Sequence, residues 1–159
     1  LPVKQVDILP MLFVEFPTGE YRSSKAANIG SHQYDIKPVL FLHKSFKKFS
    51  VDAAAKYFFR LENDDTGVLP GDEFHLQCLL GYNLTDKFKL GPSINWMISQ
   101  DKEKDGAEVK DSARESLSAG ADIYYRFSRL SVTFTYLYDV YTENSPSGHF
   151  FQIKTVYRF

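Results

Sequence analysis

The sequence predicts an all-β, transmembrane, antiparallel up-and-down β-barrel, on three observations. Apolar and polar residues alternate with a period of two along nearly the whole chain. Aromatic residues make up 16%, with 14 Phe and 10 Tyr against one Trp. The connections between alternating runs are short and long by turns, as in barrels with short periplasmic turns and long external loops. The 159 residues fit one domain, 1–159. No run of about 18 apolar residues occurs, which excludes a transmembrane helix.

Eight strands follow in order. Residues 6–16 set Val6, Ile8, Pro10, Leu12, Val14 and Phe16 against Asp7, Met11 and Glu15. Residues 35–43 set Ile36, Pro38, Leu40 and Leu42 against Asp35, Lys37 and His43. Pro10 and Pro38 each remove a ladder donor and are the weak points of these two. Residues 49–62 set Phe49, Val51, Ala53, Ala55, Tyr57, Phe59 and Leu61 against Asp52, Ala54, Lys56, Arg60 and Glu62. Phe74, Leu76, Cys78, Leu80 and Tyr82 then oppose His75, Gln77 and Gly81. Phe88, Leu90, Ile94, Trp96 and Ile98 oppose Lys89, Ser93 and Asn95. Ala119, Ala121, Ile123, Tyr125 and Phe127 oppose Ser118, Asp122 and Arg126. Leu130, Val132, Phe134, Tyr136, Tyr138 and Val140 oppose Ser131, Thr133, Asp139 and Tyr141. Phe151, Ile153, Thr155, Tyr157 and Phe159 oppose Gln152, Lys154 and Arg158.

The short connections are 44–48, 85–87 and 128–129; the long polar ones are 17–33, 63–72, 100–112 and 142–148. Both Leu1 and Phe159 then fall on the short-turn side. A two-residue turn at Ser128 and Arg129 predicts that facing positions sum to 257, so that Arg126 opposes Ser131, Tyr124 opposes Thr133 and Asp122 opposes Thr135.

A soluble sandwich or lipocalin-like barrel would also alternate, with the apolar face turned to a core. Three features favour lipid instead. The apolar faces run longer than the five or six residues usual in soluble strands. Charges stand at mid-strand, as a wet lumen allows. Apolar-face aromatics gather at strand ends, Phe49, Phe88, Phe127 and Tyr157 near short turns and Phe16, Phe59, Phe74 and Trp96 near long loops. The surroundings expected are a bacterial outer membrane of the Gram-negative type, with its lipid and lipopolysaccharide.

The polar faces make Asp52, Lys56, Arg60, Glu62, His75, Lys89, Asp122, Arg126, Asp139, Lys154 and Arg158 the candidate lumen-lining residues. They would pair and plug a narrow barrel, or line a water path in a wider one. With 19 Lys+Arg against 20 Asp+Glu, nothing in the charge points to nucleic acid.

Two Ser/His/acid neighbourhoods fall in long loops: Ser31 and His32 with Asp35, and Ser147 and His149 with Glu143. Neither forms a G-x-S-x-G elbow, so no enzyme is expected. Asp64, Asp65, Asp72 and Glu73 concentrate carboxylates without EF-hand spacing and read as a solvated loop. The segment 101–115, with its mixed charges and no aromatic, reads as a mobile solvated loop. Cys78 is alone, so no internal disulfide forms. No metal and no cofactor is expected.

The loop Pro17-Thr18-Gly19-Glu20-Tyr21 with Asn28-Ile29-Gly30, and Glu62-Asn63-Asp64-Asp65-Thr66 leading to Gly71-Asp72-Glu73-Phe74-His75 and Gly81-Tyr82, resemble outer-membrane proteins of the meta-pathway of phenol degradation. Phe159 is similar to the terminal aromatic that the barrel-assembly machinery reads as an insertion signal. The resemblance implies a channel for passive uptake of small hydrophobic or aromatic solutes. It also implies further strands, the chain being the C-terminal part of a barrel of about twelve. The alternatives are a non-conducting structural or adhesive barrel and a lipid-modifying enzyme.

Overall fold

The computed structural model describes residues 6–22, 24, 28 and 32–159. Its strands are β1 (Asp7–Glu15), β2 (Asp35–Phe46), β3 (Phe49–Arg60), β4 (Val68–Leu69), β5 (Glu73–Asn83), β6 (Phe88–Ser99), β7 (Glu103–Lys104), β8 (Ala107–Glu108), β9 (Glu115–Phe127), β10 (Leu130–Glu143) and β11 (His149–Tyr157). Eight of them form one antiparallel sheet in the order β1-β2-β3-β5-β6-β9-β10-β11, so each long strand pairs with its neighbour in sequence. The sheet curls into a half-barrel.

Burial follows the alternation, and it is inverted relative to a water-soluble protein. The buried residues Val39, Ala54, Leu137, Asp35, Ser50, Glu73, Ser93 and Ser118 all lie on the polar, concave face. The convex face leaves large apolar side chains open, among them Leu12, Phe49, Leu80, Ile94, Ile123, Phe151 and Ile153, the last 71% exposed. A sheet in water would hide this face and spend its charges outside. Ring pairs stand on it at two levels. Near the short turns are Phe49–Tyr82 (5.1 Å) and Tyr125–Phe127 (4.4 Å); near the long loops are Tyr57–Phe59 (4.6 Å), Phe16–Tyr34 (5.9 Å) and Phe74–Trp96 (6.0 Å).

The hairpin register is the one that the two-residue turn predicts: Leu130 faces Phe127, Ser131 faces Arg126, Thr133 faces Tyr124 and Thr135 faces Asp122. It breaks once, between Asp139 and Tyr141, where a bulge puts one extra residue into β10. Tyr141 therefore pairs with Leu117 and leaves the polar face on which simple alternation placed it. The register holds through both prolines, with Pro10 opposite Leu40 and Pro38 opposite Leu12.

The segment 101–115, read from its composition as a mobile solvated loop, is largely exposed and carries two short strands. β7 and β8 form a small hairpin, and β7 pairs with β4 from the preceding long connection. Asp105 donates its N–H to the Gly67 carbonyl (2.7 Å), and Asn144 reaches the carbonyls of Asp111 (3.0 Å) and Ala113 (2.7 Å). The long connections are thus tied to one another. Among the described residues there is no helix.

Candidate functional site

The candidate site is the concave wall, which divides into three levels. At the long-loop end a charge network crosses four strands. Arg60, last residue of β3, donates to Asp35 on β2 (2.7 Å) and to Glu73 on β5 (2.9 Å). Asp35 also lies 3.4 Å from Lys37, which pairs with Glu15 on β1, and accepts from Gln33 (2.9 Å). Glu73 is shared further with His75 (2.9 Å) and with Arg114. Asp35 and Glu73 are only 1% and 4% exposed, so each carboxylate needs these cations to be tolerated. Phe58 sits among them, with Lys37 and Arg60 over its ring at 5.0 and 5.3 Å and the His75 ring at 4.5 Å. Beside this network the loops enclose a basin of about 660 Å³ lined by Gln33, Arg60, Pro70, Gln100, Lys102 and Arg114.

At the short-turn end Asp52 on β3 is the hub. His43 Nδ1 lies 2.6 Å from it, and Lys89 Nζ, arriving from β6, lies 2.9 Å away. Lys89 crosses β5 over Gly81, where a Cβ would stand 2.6 Å from the lysine stem and 2.6 Å from Ser50 Oγ. Glycine keeps that crossing open. His43 Nε2 in turn lies 2.9 Å from Ser45 Oγ, in a cavity of about 190 Å³. Carboxylate, imidazole and hydroxyl in this order are the parts of a serine relay. Here Lys89 shares the carboxylate, and Ser45 is paired in the β2–β3 ladder opposite Ser50, which commits the nearby strand amides to the sheet rather than to an oxyanion. The arrangement reads as a brace between β2, β3 and β6.

Between the two ends stand Lys56 and Lys154. Among the described residues neither has a hydrogen bond or an acidic partner.

Of the other lumen candidates, Asp122 bonds Thr135 across the β9–β10 pair. Asp139 accepts from Ser118 Oγ (2.6 Å) and from the Gly148 N–H (3.0 Å). Arg126 reaches the Asp86 carbonyl (3.1 Å). Glu62 is different. β3 ends at Arg60, so Glu62 lies beyond the strand and exposed, off the wall where alternation put it. Arg158 follows the end of β11 and is exposed; Phe159 is fully exposed and packs edge-on to Tyr157 at 5.2 Å.

The loop candidates do not assemble. Ser31, like Leu1, lies outside the described residues; His32 stacks on Tyr21 at 5.3 Å and is 3.4 Å from Asp65, not Asp35. His149 bonds Tyr136 Oη (3.0 Å), stacks on that ring and lies tilted against Tyr138 at 4.9 Å, while Glu143 accepts from Tyr141. Asp72 accepts from Tyr57 Oη (3.1 Å) and from the Arg60 N–H (2.9 Å), which separates it from Glu73. No three His, Cys, Asp or Glu converge among the described residues. Asp101, in the third long connection, is held below the usual carboxylate range, above all by the Ala113 N–H (2.5 Å) and also by Ser112 (2.7 Å).

Sequence reasoning found most wall residues but missed Asp35, Glu73 and Arg114 as members of the network. Asp35 and Glu73 open their strands on the inward parity, and that position was the available signal. Arg114 comes from a loop and had none.

Among solved structures, an outer membrane channel from Pseudomonas putida F1 superposes with a TM-score of 0.84 at 17% identity, over 98% of this chain and 60% of that one. The shared fold is that of a membrane barrel, and the chain spans 60% of that channel's length. No curated protein matches the sequence. A family model described as "Putative MetA-pathway of phenol degradation" matches residues 7–155. That is nearly the whole chain, and it belongs to this family.

Proposed function

We propose that the chain builds most of the wall of a bacterial outer-membrane channel that passes small solutes by diffusion, hydrophobic or aromatic compounds among them. The observation that carries this reading is the inverted burial: charges and hydroxyls on the concave face, bare apolar side chains on the convex one. The two levels of ring pairs act as girdles. Phe49 and Phe59 on β3 are ten residues apart, which at about 3.3 Å each and a tilt of about 40° gives about 25 Å of height, the apolar band of such barrels.

Direction of pairing separates a channel from a plugged barrel. The ion pairs run along the wall, between adjacent strands or over one intervening strand, as from Glu15 to Lys37, Asp35 to Arg60 and Asp52 to Lys89. A plug would pair opposite charges across the interior, and no ion pair among the described strand residues does so. β1 and β11 each present an open edge, and hydrocarbon tolerates none. Further strands close the wall, to about twelve in all. Lipid and lipopolysaccharide surround it.

Planar-bilayer recording with the full-length protein tests this reading. Stepwise conductance and swelling of solute-loaded liposomes are expected. A bilayer that stays sealed at high protein loading, with no uptake of an aromatic solute into liposomes, contradicts it.

A further inference from the structure

We infer that the short-turn rim of the wall is a binding surface for anionic phospholipid, its turn lysines taking the phosphate headgroups and its convex aromatic residues the upper acyl chains. The inference rests on the wall spanning a membrane, not on its conducting.

Charge is divided between the two ends of the wall. The four long connections, 17–33, 63–72, 100–112 and 142–148, hold ten acidic residues against five Lys and Arg. The three short ones, 44–48, 85–87 and 128–129, hold five Lys and Arg against Asp86 alone. Backbone geometry draws the turn cations into one row. The Asn83 N–H donates to the Lys48 carbonyl (2.7 Å), which fastens the β2–β3 turn to the end of β5. The Arg126 N–H donates to the Lys87 carbonyl (2.9 Å), which fastens the β5–β6 turn to the end of β9. Both turns lie inside the sheet order, with a further strand on either side of each hairpin. Lys47, Lys48 and Lys87 are exposed. Among the described residues none of them, nor Lys44, has a carboxylate within 4 Å.

The row meets the apolar face directly. Lys44 pairs with Val51 in the β2–β3 ladder, on the convex side, and its Nζ lies 5.0 Å from the centre of the Phe46 ring. Phe46 and Phe49 face each other beside the turn, both exposed, and Phe49 packs against Tyr82 at 5.1 Å. A lysine stem laid over an interfacial ring carries its ammonium to the headgroup level. Neighbouring turns are two strand spacings apart, about 10 Å. A phosphate seated between them is nearer to each than the Debye length of about 8 Å, so the lysines of both turns act on it. The short turns of such barrels are the periplasmic ones, and the leaflet they reach is the phospholipid leaflet. Anionic phospholipid satisfies both parts of the rim, with phosphate for the lysines and acyl chains for the rings.

The test is electron paramagnetic resonance of spin-labelled lipids with the full-length protein in phosphatidylcholine vesicles, which reads the fraction of each labelled lipid held at the protein surface. Labelled phosphatidylglycerol should be held roughly twofold or more over labelled phosphatidylcholine, and raised salt should narrow the difference. Lys44→Gln, Lys48→Gln and Lys87→Gln together should abolish the preference. The same three positions changed Lys→Arg should keep it, and Lys102→Gln in the third long connection should leave it unchanged. Heat-modifiable gel mobility confirms that each variant has folded. Equal association of the two lipids with the wild type overturns the rim and leaves the membrane wall standing. So does a preference that persists in the folded triple Gln variant. Displacement of labelled phosphatidylglycerol by inorganic phosphate as readily as by the unlabelled lipid names a different occupant, and overturns it too. Failure to insert into any vesicle overturns the wall itself, and the rim falls with it.

Discussion

Ala54 and Ala55 are sequence neighbours with opposite surroundings. Ala54 is 4% exposed on the tightly curved inner wall, and Ala55 stands on the convex face between the two aromatic levels. Ala55→Arg should cost roughly 2–4 kcal/mol of folding into lipid vesicles, the price of a guanidinium at the bilayer midplane. Ala54→Arg also costs about 1–3 kcal/mol, through overpacking rather than desolvation. Gln77, inward and less buried, is the better inner-wall control, and Gln77→Arg should fold with near wild-type yield. Comparable losses for Ala55→Arg and Gln77→Arg would contradict the assignment of faces.

Arg60 is the residue on which the loop-end network turns. Arg60→Ala takes one cation from each of two buried carboxylates at once, leaving Asp35 to Lys37 and Gln33 and Glu73 to His75 and Arg114, at a cost on the order of 3 kcal/mol. Arg60→Lys should recover little, because an ammonium lacks the fork that serves both acids. Denaturant midpoints of the vesicle-inserted proteins measure the difference. Ser45 makes a separate check on the brace at the other end: a fluorophosphonate probe should leave it unlabelled, and labelling abolished by His43→Ala would make the relay chemical.

At the scale of elements, the strands were legible because their alternation is a physical requirement of a wall with lipid on one side and water on the other. The turns were less so. The sheet ends two hairpins with Lys47 (φ 49°) and Ser128 (φ 43°) in the left-handed region, where glycine or asparagine is the usual signal. β2 therefore runs on to Phe46, three residues past the run read from periodicity. The bulge in β10 was invisible for a related reason, since an inserted residue reads as one more alternation. The β4–β7–β8 sheet escaped because strands of two residues leave no period at all.

Two element-level outcomes follow. A Cβ on Gly120 would lie 1.9 Å from the Tyr136 carbonyl oxygen, so Gly120→Val should block insertion of the β9–β10 pair, read as loss of the folded band on unheated gels. Asp101 contributes to the third loop through its lowered carboxyl pKa. That contribution is complete above the ordinary carboxylate range and is lost as pH falls through the lowered value. Asp101→Asn should then remove the pH dependence of the protection factors, exchange rates corrected for the intrinsic rate, at Ser112 and Ala113.

The whole molecule is a wall with two chemistries, and the candidate site is that wall rather than a pocket. Its mid-level charges could be listed from parity alone. Which of them pair could not, because pairing depends on the shear between strands: Asp52 and Lys89 meet over an intervening strand, and Arg114 arrives from a loop. Closure of the β1 and β11 edges by further strands gives the same prediction at this scale as the channel itself, a continuous water path.

A cysteine scan of β3 in the full-length protein tests the account most directly. With Cys78→Ala as background, each residue from Phe49 to Arg60 is replaced singly by Cys in lipid vesicles and treated with a charged, membrane-impermeant thiol reagent. A period of two is expected, with labelling at 52, 56, 58 and 60, protection at 51, 53, 55, 57 and 59, and slow labelling at the packed inward positions 50 and 54. The opposite phase, or uniform labelling along the strand, would contradict it.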